Sequence, residues 1–390
     1  MSPAPESLAA RARPILERLV AFDTTSHLSN LALIDWVEDY LRGRGVAARR
    51  IASPDGRKAN LLASIGPTVE GGVILSGHTD VVPVAGQAWS SDPFVLAERD
   101  GRLYGRGTAD MKGFLALALA AAPELVAAPL VRPVHLAFSY DEEIGCFGAP
   151  AMIEAIGREL PRPALCVVGE PSGMQVVAGH KGVAVWRVTV TGREAHSAQT
   201  HLGVSAIMQA VRLMAALADL AARLEQAADP SSPFEPKGAT LVIGTVAGGT
   251  ANNILARECG FLFDLRSPPG MDPAALLADF FALAARLDAE IKARAPEGGV
   301  VVEPLADVPP LAPEGGAAEA FVRRLAGDNG PARVVSFASE AGQFQRAAIP
   351  TVVCGPGSID QAHKPDEYLE AAQFERGAAF MMRLIEALAG

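Results

Sequence analysis

Short apolar runs that end on a histidine or an acid recur through the first half of the chain. Residues 73–75 lead to His78 and Asp80, residues 134–140 run into Asp141-Glu-Glu143, and residues 165–168 run into Gly169-Glu170. Each run has the length and apolar character of a buried strand. Between them lie stretches with helical spacing. Residues 6–21 place Leu8, Ala12, Ile15, Leu16 and Leu19 on one face, and residues 30–44, 114–125 and 151–160 also read as helices. Residues 46–51 and 60–65 read as two further strands joined by the turn Ser53-Pro-Asp-Gly56. Strands alternating with helices, with polar residues where strands finish, predict an α/β layer whose ligands sit beyond the carboxyl ends of the strands. Residues 83–106 read as one long polar loop, and a loop of that length in a compact domain is usually functional.

The pattern changes near Gly182. Residues 183–191 alternate apolar and polar, as in a half-exposed strand. A long Ala-rich helix over 204–227, a loop over 230–236, strands over 240–246 and 257–265, a helix over 273–294 and a strand over 300–303 follow. That β-α-β-β-α-β order predicts a separate α+β, ferredoxin-like unit with one sheet face covered by helices. The α/β pattern then resumes, with helices over 317–326, 341–347 and 371–388 and strands over 333–336 and 351–354. The expected division is one domain from 1–181 with 306–390 and an inserted domain over 182–305. The chain's 390 residues exceed what one core normally serves.

Composition narrows the function classes. The chain is 49% hydrophobic and 20% charged, and 34 Lys and Arg against 44 Asp and Glu give a formal charge of −10. That balance argues against nucleic acid, which calls for a basic face. Residues 114–131 form the longest apolar stretch, but Pro123, Glu124 and Pro129 interrupt it, so no membrane span is expected. Residues 1–9 lack a basic patch followed by an apolar run, and no signal peptide is expected. The four cysteines, Cys146, Cys166, Cys259 and Cys354, are scattered without C-x-x-C spacing, which suits a reduced, cytoplasmic setting.

Two-metal hydrolases need a carboxylate that bridges both ions and one or two N/O ligands per ion from elsewhere. The chain has that count: Asp110 to bridge, His78 and Glu170 for one ion, Glu143 and His363 for the other. Histidine and carboxylate ligands without a thiolate suit Zn, with Co and Mn as alternatives. Any one of these residues alone reads better as structural, but four of them lie just beyond apolar strands and the fifth follows Cys354 in a polar loop. Of the neighbours Glu142 and Glu143, one binds metal, while the other can face an attacking water and take its proton. The bland alternative is a solvated acidic turn. Asp80 is placed to orient the ring of His78. Gly105-Arg-Gly107 is no phosphate loop, and no G-x-S-x-G is present.

Five stretches carry a resemblance. Ser76-Gly-His-Thr-Asp80, Gly107-Thr-Ala-Asp-Met-Lys-Gly113, Asp141-Glu-Glu-Ile-Gly145, Gly169-Glu-Pro-Ser172 and Arg193-Glu-Ala-His-Ser197 match, in order, motifs of the M20 metallopeptidase and deacylase family. The resemblance covers nearly the whole chain. It implies an α/β catalytic domain around a central mixed sheet, an inserted lid and dimerisation domain, two divalent metal ions, Glu142 as general base and Asp80 as the carboxylate behind His78. It also implies that His196 donates to the oxyanion of amide hydrolysis, reaching the site of a neighbouring subunit. Asn252, Asn253 and Arg266 resemble residues that hold the substrate carboxylate, although Arg266 reads equally as an exposed strand-end cation. Within the family, the stretch from Cys354 to Tyr368 and Ser339-Glu-Ala-Gly-Gln-Phe344 are most similar to N-acetylornithine deacetylases, with Ser339 where a Thr is expected before the Glu. The implied substrate is a small N-acyl amino acid, N2-acetyl-L-ornithine, and the implied assembly a homodimer. The alternative substrate class is that of related deacylases or dipeptidases such as succinyl-diaminopimelate desuccinylase. Glu340 reads either as the partner of the ornithine ammonium or as the cap of the helix after it.

Overall fold

The computed structural model describes residues 6–390; the N-terminal expectation of no signal peptide falls partly on residues 1–5, outside the described residues. The chain divides into two compact units. One runs to Gly179 and takes up again over Leu311–Val334 and Ser339–Gly390; the other holds His180–Pro310 and Val335–Ala338. The expected boundaries at 181/182 and 305/306 fall a few residues away from these breaks.

The first unit is built on an eight-stranded sheet in the order Ala48–Ala52, Ala59–Ile65, Val134–Ser139, Val73–His78, Leu165–Pro171, Thr351–Gly355, Val177–His180, Arg333–Val335, the last two strands continuing into the second unit. Val134–Ser139, Val73–His78, Leu165–Pro171 and Thr351–Gly355 run parallel, and Ala48–Ala52 and Ala59–Ile65 extend the sheet antiparallel. The parallel strands are buried along their whole length, which is why they read as unbroken apolar runs rather than alternating ones. Helix Gly113–Ala120 likewise has no polar face, because all eight of its residues are buried. Helix Leu8–Val20 is one-sided instead: Ser7 accepts from the amide of Ala10 at its start, and Leu8, Ala12, Ile15, Leu16 and Leu19 face the core.

The second unit carries an antiparallel sheet in the order Thr240–Gly248, Glu258–Ser267, Gly182–Thr191, Gly299–Val308. Helix Ala206–Gln226 buries Ala206, Ala210, Leu213, Leu217, Leu220 and Leu224, spaced at three and four residues. With helix Ala278–Arg294 it shares a core with Val188, Val190, Phe261 and Phe263 of the sheet.

Several elements differ from expectation. The 114–125 helix stops at Ala120 and restarts as Ala122–Ala127, since Pro123 lacks the N–H that would continue the first helix and suits the first turn of the next. The 83–106 loop contains the strands Ala97–Arg99 and Arg102–Tyr104, joined by Asp100-Gly101 with both φ angles positive. An Asp-Gly pair at that place is a strong hairpin signal. Tyr368–Glu370 completes a small three-stranded sheet with them.

Candidate metal centre

Strand register assembles the site. His78 lies opposite Ser139 and Ser76 opposite Val168, so the ends of three parallel strands are level. His78, the Asp141–Glu143 turn and Glu170 therefore emerge along one carboxyl edge. Asp110 arrives from the irregular turn Thr108–Lys112 that opens helix Gly113–Ala120. His363 comes from the loop after Thr351–Gly355 and has a positive φ of 62°.

The side chains form two groups that share Asp110. In the first, Nε2 of His78 lies 3.0 Å from Oδ1 of Asp110 and 3.7 Å from Oε1 of Glu170. In the second, Nε2 of His363 lies 3.4 Å from Oδ2 of Asp110 and 2.9 Å from Oε2 of Glu143. Within each group the ligand atoms all lie within 4.8 Å of one another. Oε1 of Glu170 is buried and has no hydrogen-bond partner among the described residues. A buried carboxylate oxygen left without a donor calls for a cation. The residues fit two divalent ions with Asp110 between them, and a donor set of imidazole and carboxylate without thiolate suits Zn, Co or Mn.

Electrostatics support the same fit. Burial, reinforced by Glu143, Asp110 and Asp80, pushes Glu142 up to about 8. Burial and Asp110 push Glu143 up to about 7, against the pull of His363. Glu170 is raised well above the carboxylate range by burial, with Asp110 and Glu142 adding to it. Burial also works against the charged form of Asp110, but hydrogen bonds from His363 and His78 outweigh it and hold the group low. Hydrogen bonds to Asp110 and Glu143 raise His363 to about 10. So many acids in one buried place repel one another, and protons or cations must relieve the repulsion.

The surrounding bonds refine the expected roles. Nδ1 of His78 is 2.9 Å from the backbone carbonyl of Asp80, which fixes the ring and leaves Nε2 facing Asp110. The Asp80 carboxylate is 3.6 Å from that ring and accepts instead from Ser26 and from the amides of Glu142 and Glu143. It thus positions the turn that carries both glutamates. Oε1 of Glu142 accepts from the thiol of Cys146 at 3.3 Å.

Glu340 requires correction. It is fully buried, its oxygens accept from Ser76 and, at 2.7 Å, from Ser139, and its side chain makes no bond to the helix it precedes. It ties two sheet strands together, and its side chain does not cap the helix.

In the second unit His196 is exposed and bridges to Ile254, and the amide of Ser197 donates to the carbonyl of Asn253. His196, Asn252 and Asn253 therefore lie together. Arg266 lies eight residues along strand Glu258–Ser267 from Glu258, roughly 26 Å at 3.3 Å per residue, with Nη2 3.7 Å from Asp264. The sequence reading missed Arg106 and Glu367, both buried, which pair at 2.7 Å behind the Asp110 turn. Their signal was charge inside two quoted motifs without an assigned role.

Residues 74–387 match the family described as peptidase family M20/M25/M40. The chain belongs to that family and is a hydrolase acting on amide bonds. Among its relatives, an acetylornithine deacetylase of Proteus mirabilis is 36% identical over 371 residues, covering 94% of this chain and 92% of that protein. An acetylornithine deacetylase of Myxococcus xanthus is 35% identical over 391 residues, covering 97% of each. The fold is that of an M20 family metallo-carboxypeptidase from Sulfolobus solfataricus, with a TM-score of 0.77 at 17% identity over 96% of this chain and 98% of that one. A Bacillus subtilis protein described as a dinuclear metal binding peptidase from the M20 family superposes with a TM-score of 0.63 at 15% identity, covering 98% of both chains. No helix among the described residues is long and apolar enough to cross a membrane.

Proposed function

We propose that the chain is a two-metal amidohydrolase that removes the acetyl group from N2-acetyl-L-ornithine, giving L-ornithine and acetate, as a step of arginine biosynthesis in the cytoplasm. The observation that carries the metal reading is the pair of ligand groups joined at Asp110, with Glu142 beside them. The substrate reading is supported by the two acetylornithine deacetylases matched at about 35% identity along nearly the whole chain.

His78, Asp110 and Glu170 would hold one ion and Asp110, Glu143 and His363 the other, with zinc as the expected metal and cobalt or manganese as alternatives. When bound, the ions supply Lewis acidity, which polarises the amide carbonyl and makes water easier to deprotonate. Glu142 takes the proton of the attacking water and returns it to the leaving amine nitrogen. Asp80 holds the Asp141–Glu143 turn so that the Glu142 carboxyl stays in reach. The second unit serves as lid and dimerisation domain, its His196 donating to the oxyanion and Asn252, Asn253 and Arg266 gripping the substrate carboxylate. The expected assembly is a homodimer in which His196 reaches the site of the neighbouring copy.

A substrate panel tests the assignment. Metal-loaded protein is given N2-acetylornithine, N-succinyl-diaminopimelate and a neutral N-acetyl amino acid. The highest kcat/KM on N2-acetylornithine is expected. A higher value on the succinyl substrate moves the assignment to the desuccinylases and leaves the hydrolytic chemistry standing.

A further inference from the structure

Behind the metal groups lies a second set of buried charges. The side chains of Arg106 and Glu367 are each 1% exposed, with Nη1 of the arginine 2.7 Å from Oε2 of the acid. Glu367 accepts more than the guanidinium. Its Oε2 takes the amide of Gly107 at 3.0 Å, and its Oε1 takes the amides of Ala109 at 2.9 Å and Asp110 at 3.1 Å. One carboxylate thus satisfies three amides of the turn that presents Asp110. The other face of Arg106 donates from Nη2 to Oε1 of Gln87 at 2.6 Å, and the guanidinium stacks 5.0 Å from the ring of Trp89. Gln87 in turn donates from Nε2 to the backbone carbonyl of His363 at 3.0 Å.

The links are unequal toward the two metal groups. Asp110 and His363, two of the three members of the second group, both hang from Arg106, one through Glu367 and one through Gln87. His363 has most need of it, because its side chain is 53% exposed and its neighbours do not enclose it. In the first group His78 is fixed by the Asp80 carbonyl at the end of a buried strand, and Glu170 belongs to a buried strand itself. Only Asp110 is common to both.

We propose that the buried Arg106–Glu367 pair, extended through Gln87, is a positioning unit that sets cation affinity at the Asp110, Glu143 and His363 group more than at the His78, Asp110 and Glu170 group. The inference rests on the two-metal reading above. Its chemistry requires a carboxylate at 367. Four donors converge on two oxygens, and a glutamine in either orientation would turn its NH2 toward two of them.

The test is calorimetric titration of metal-free protein with Zn2+, comparing wild type, Glu367→Gln and Gln87→Ala, with His363→Ala to identify which transition belongs to the second group. In Glu367→Gln that transition weakens by about 10- to 100-fold, the range for partners that orient ligands, and the other, which shares Asp110, weakens by a smaller factor. Hydrogen exchange in the metal-free state gives a second readout: the amides of Gly107, Ala109 and Asp110 exchange faster in Glu367→Gln. Gln87→Ala removes only a half-buried side chain, whose bond reaches His363 and not Asp110, so it carries the test should Glu367→Gln not fold, with the second transition alone weakened. Equal weakening of both transitions, or none, overturns the inference. A wild type that takes up no cation overturns the two-metal reading and this inference with it.

Discussion

Acid should loosen the first unit through one buried histidine. His135 lies inside strand Val134–Ser139 and is 1% exposed. Its Nδ1 meets the hydroxyl of Ser64 at 2.8 Å, and its Nε2 is buried with no partner among the described residues. Burial therefore opposes the imidazolium and lowers the group from 6.5 to about 4. A base with a depressed folded pKa binds fewer protons folded than unfolded between those two values. Its neutral form supports full stability above 6.5; that support is lost as the pH falls toward 4 and changes no further below. A difference of 2.5 pH units, from 6.5 to about 4, amounts to roughly 3 kcal/mol. His135→Leu puts an apolar residue of similar size in the strand and leaves the exposed Ser64 to water, so its cost at pH 8 is about 1 kcal/mol or less. The assay is native-state hydrogen exchange of the Val134–Ser139 amides in metal-free protein from pH 8 to pH 4. The wild type should lose roughly 3 kcal/mol more than the variant across that window. Parallel pH profiles for the two proteins would refute the reasoning.

Asp110→Asn removes the charge common to both ligand groups, so metal content measured after dialysis should fall below one ion per chain; retention of two ions would show that Asp110 is not shared. Cation affinity should rise from pH 6 to pH 8, because Glu143 and Glu142, raised to about 7 and about 8, must shed protons as ions enter. Calorimetry in buffers of different ionisation enthalpy reads that release, and a pH-independent affinity would contradict it. Gly355→Ala would place a Cβ 1.9 Å from the carbonyl oxygen of Gly169, on backbone that cannot swing aside. A loss of about 1–3 kcal/mol or more is expected in urea unfolding, and an unchanged midpoint would argue against so close an approach of the two strands.

Much of this was legible from pattern alone. The buried parallel strands were readable because their apolar runs are continuous, and their ends pointed to His78, Glu143 and Glu170. The inserted sheet was readable because residues of Gly182–Thr191 alternate between buried and partly exposed. What escaped was local or long-range. Val177–His180 is four residues and too short to give a period. The hairpin at Asp100-Gly101 was hidden in a polar stretch although its turn residues announced it. The bond from the Asp80 carbonyl to His78, and the capture of Glu340 by Ser76 and Ser139, depend on backbone and packing geometry that residue type does not encode. Arg106 and Glu367 are 261 residues apart, and no local pattern joins them.

The central claim is that Glu142 moves the proton in a metal-assisted amide hydrolysis. The most direct test measures kcat/KM on N2-acetylornithine for metal-loaded wild type and Glu142→Gln, with metal content determined on the same samples. The account predicts turnover by the wild type and a loss of about 10²- to 10⁴-fold in the variant, with two ions per chain in both. Undiminished hydrolysis by Glu142→Gln at full metal occupancy would contradict it.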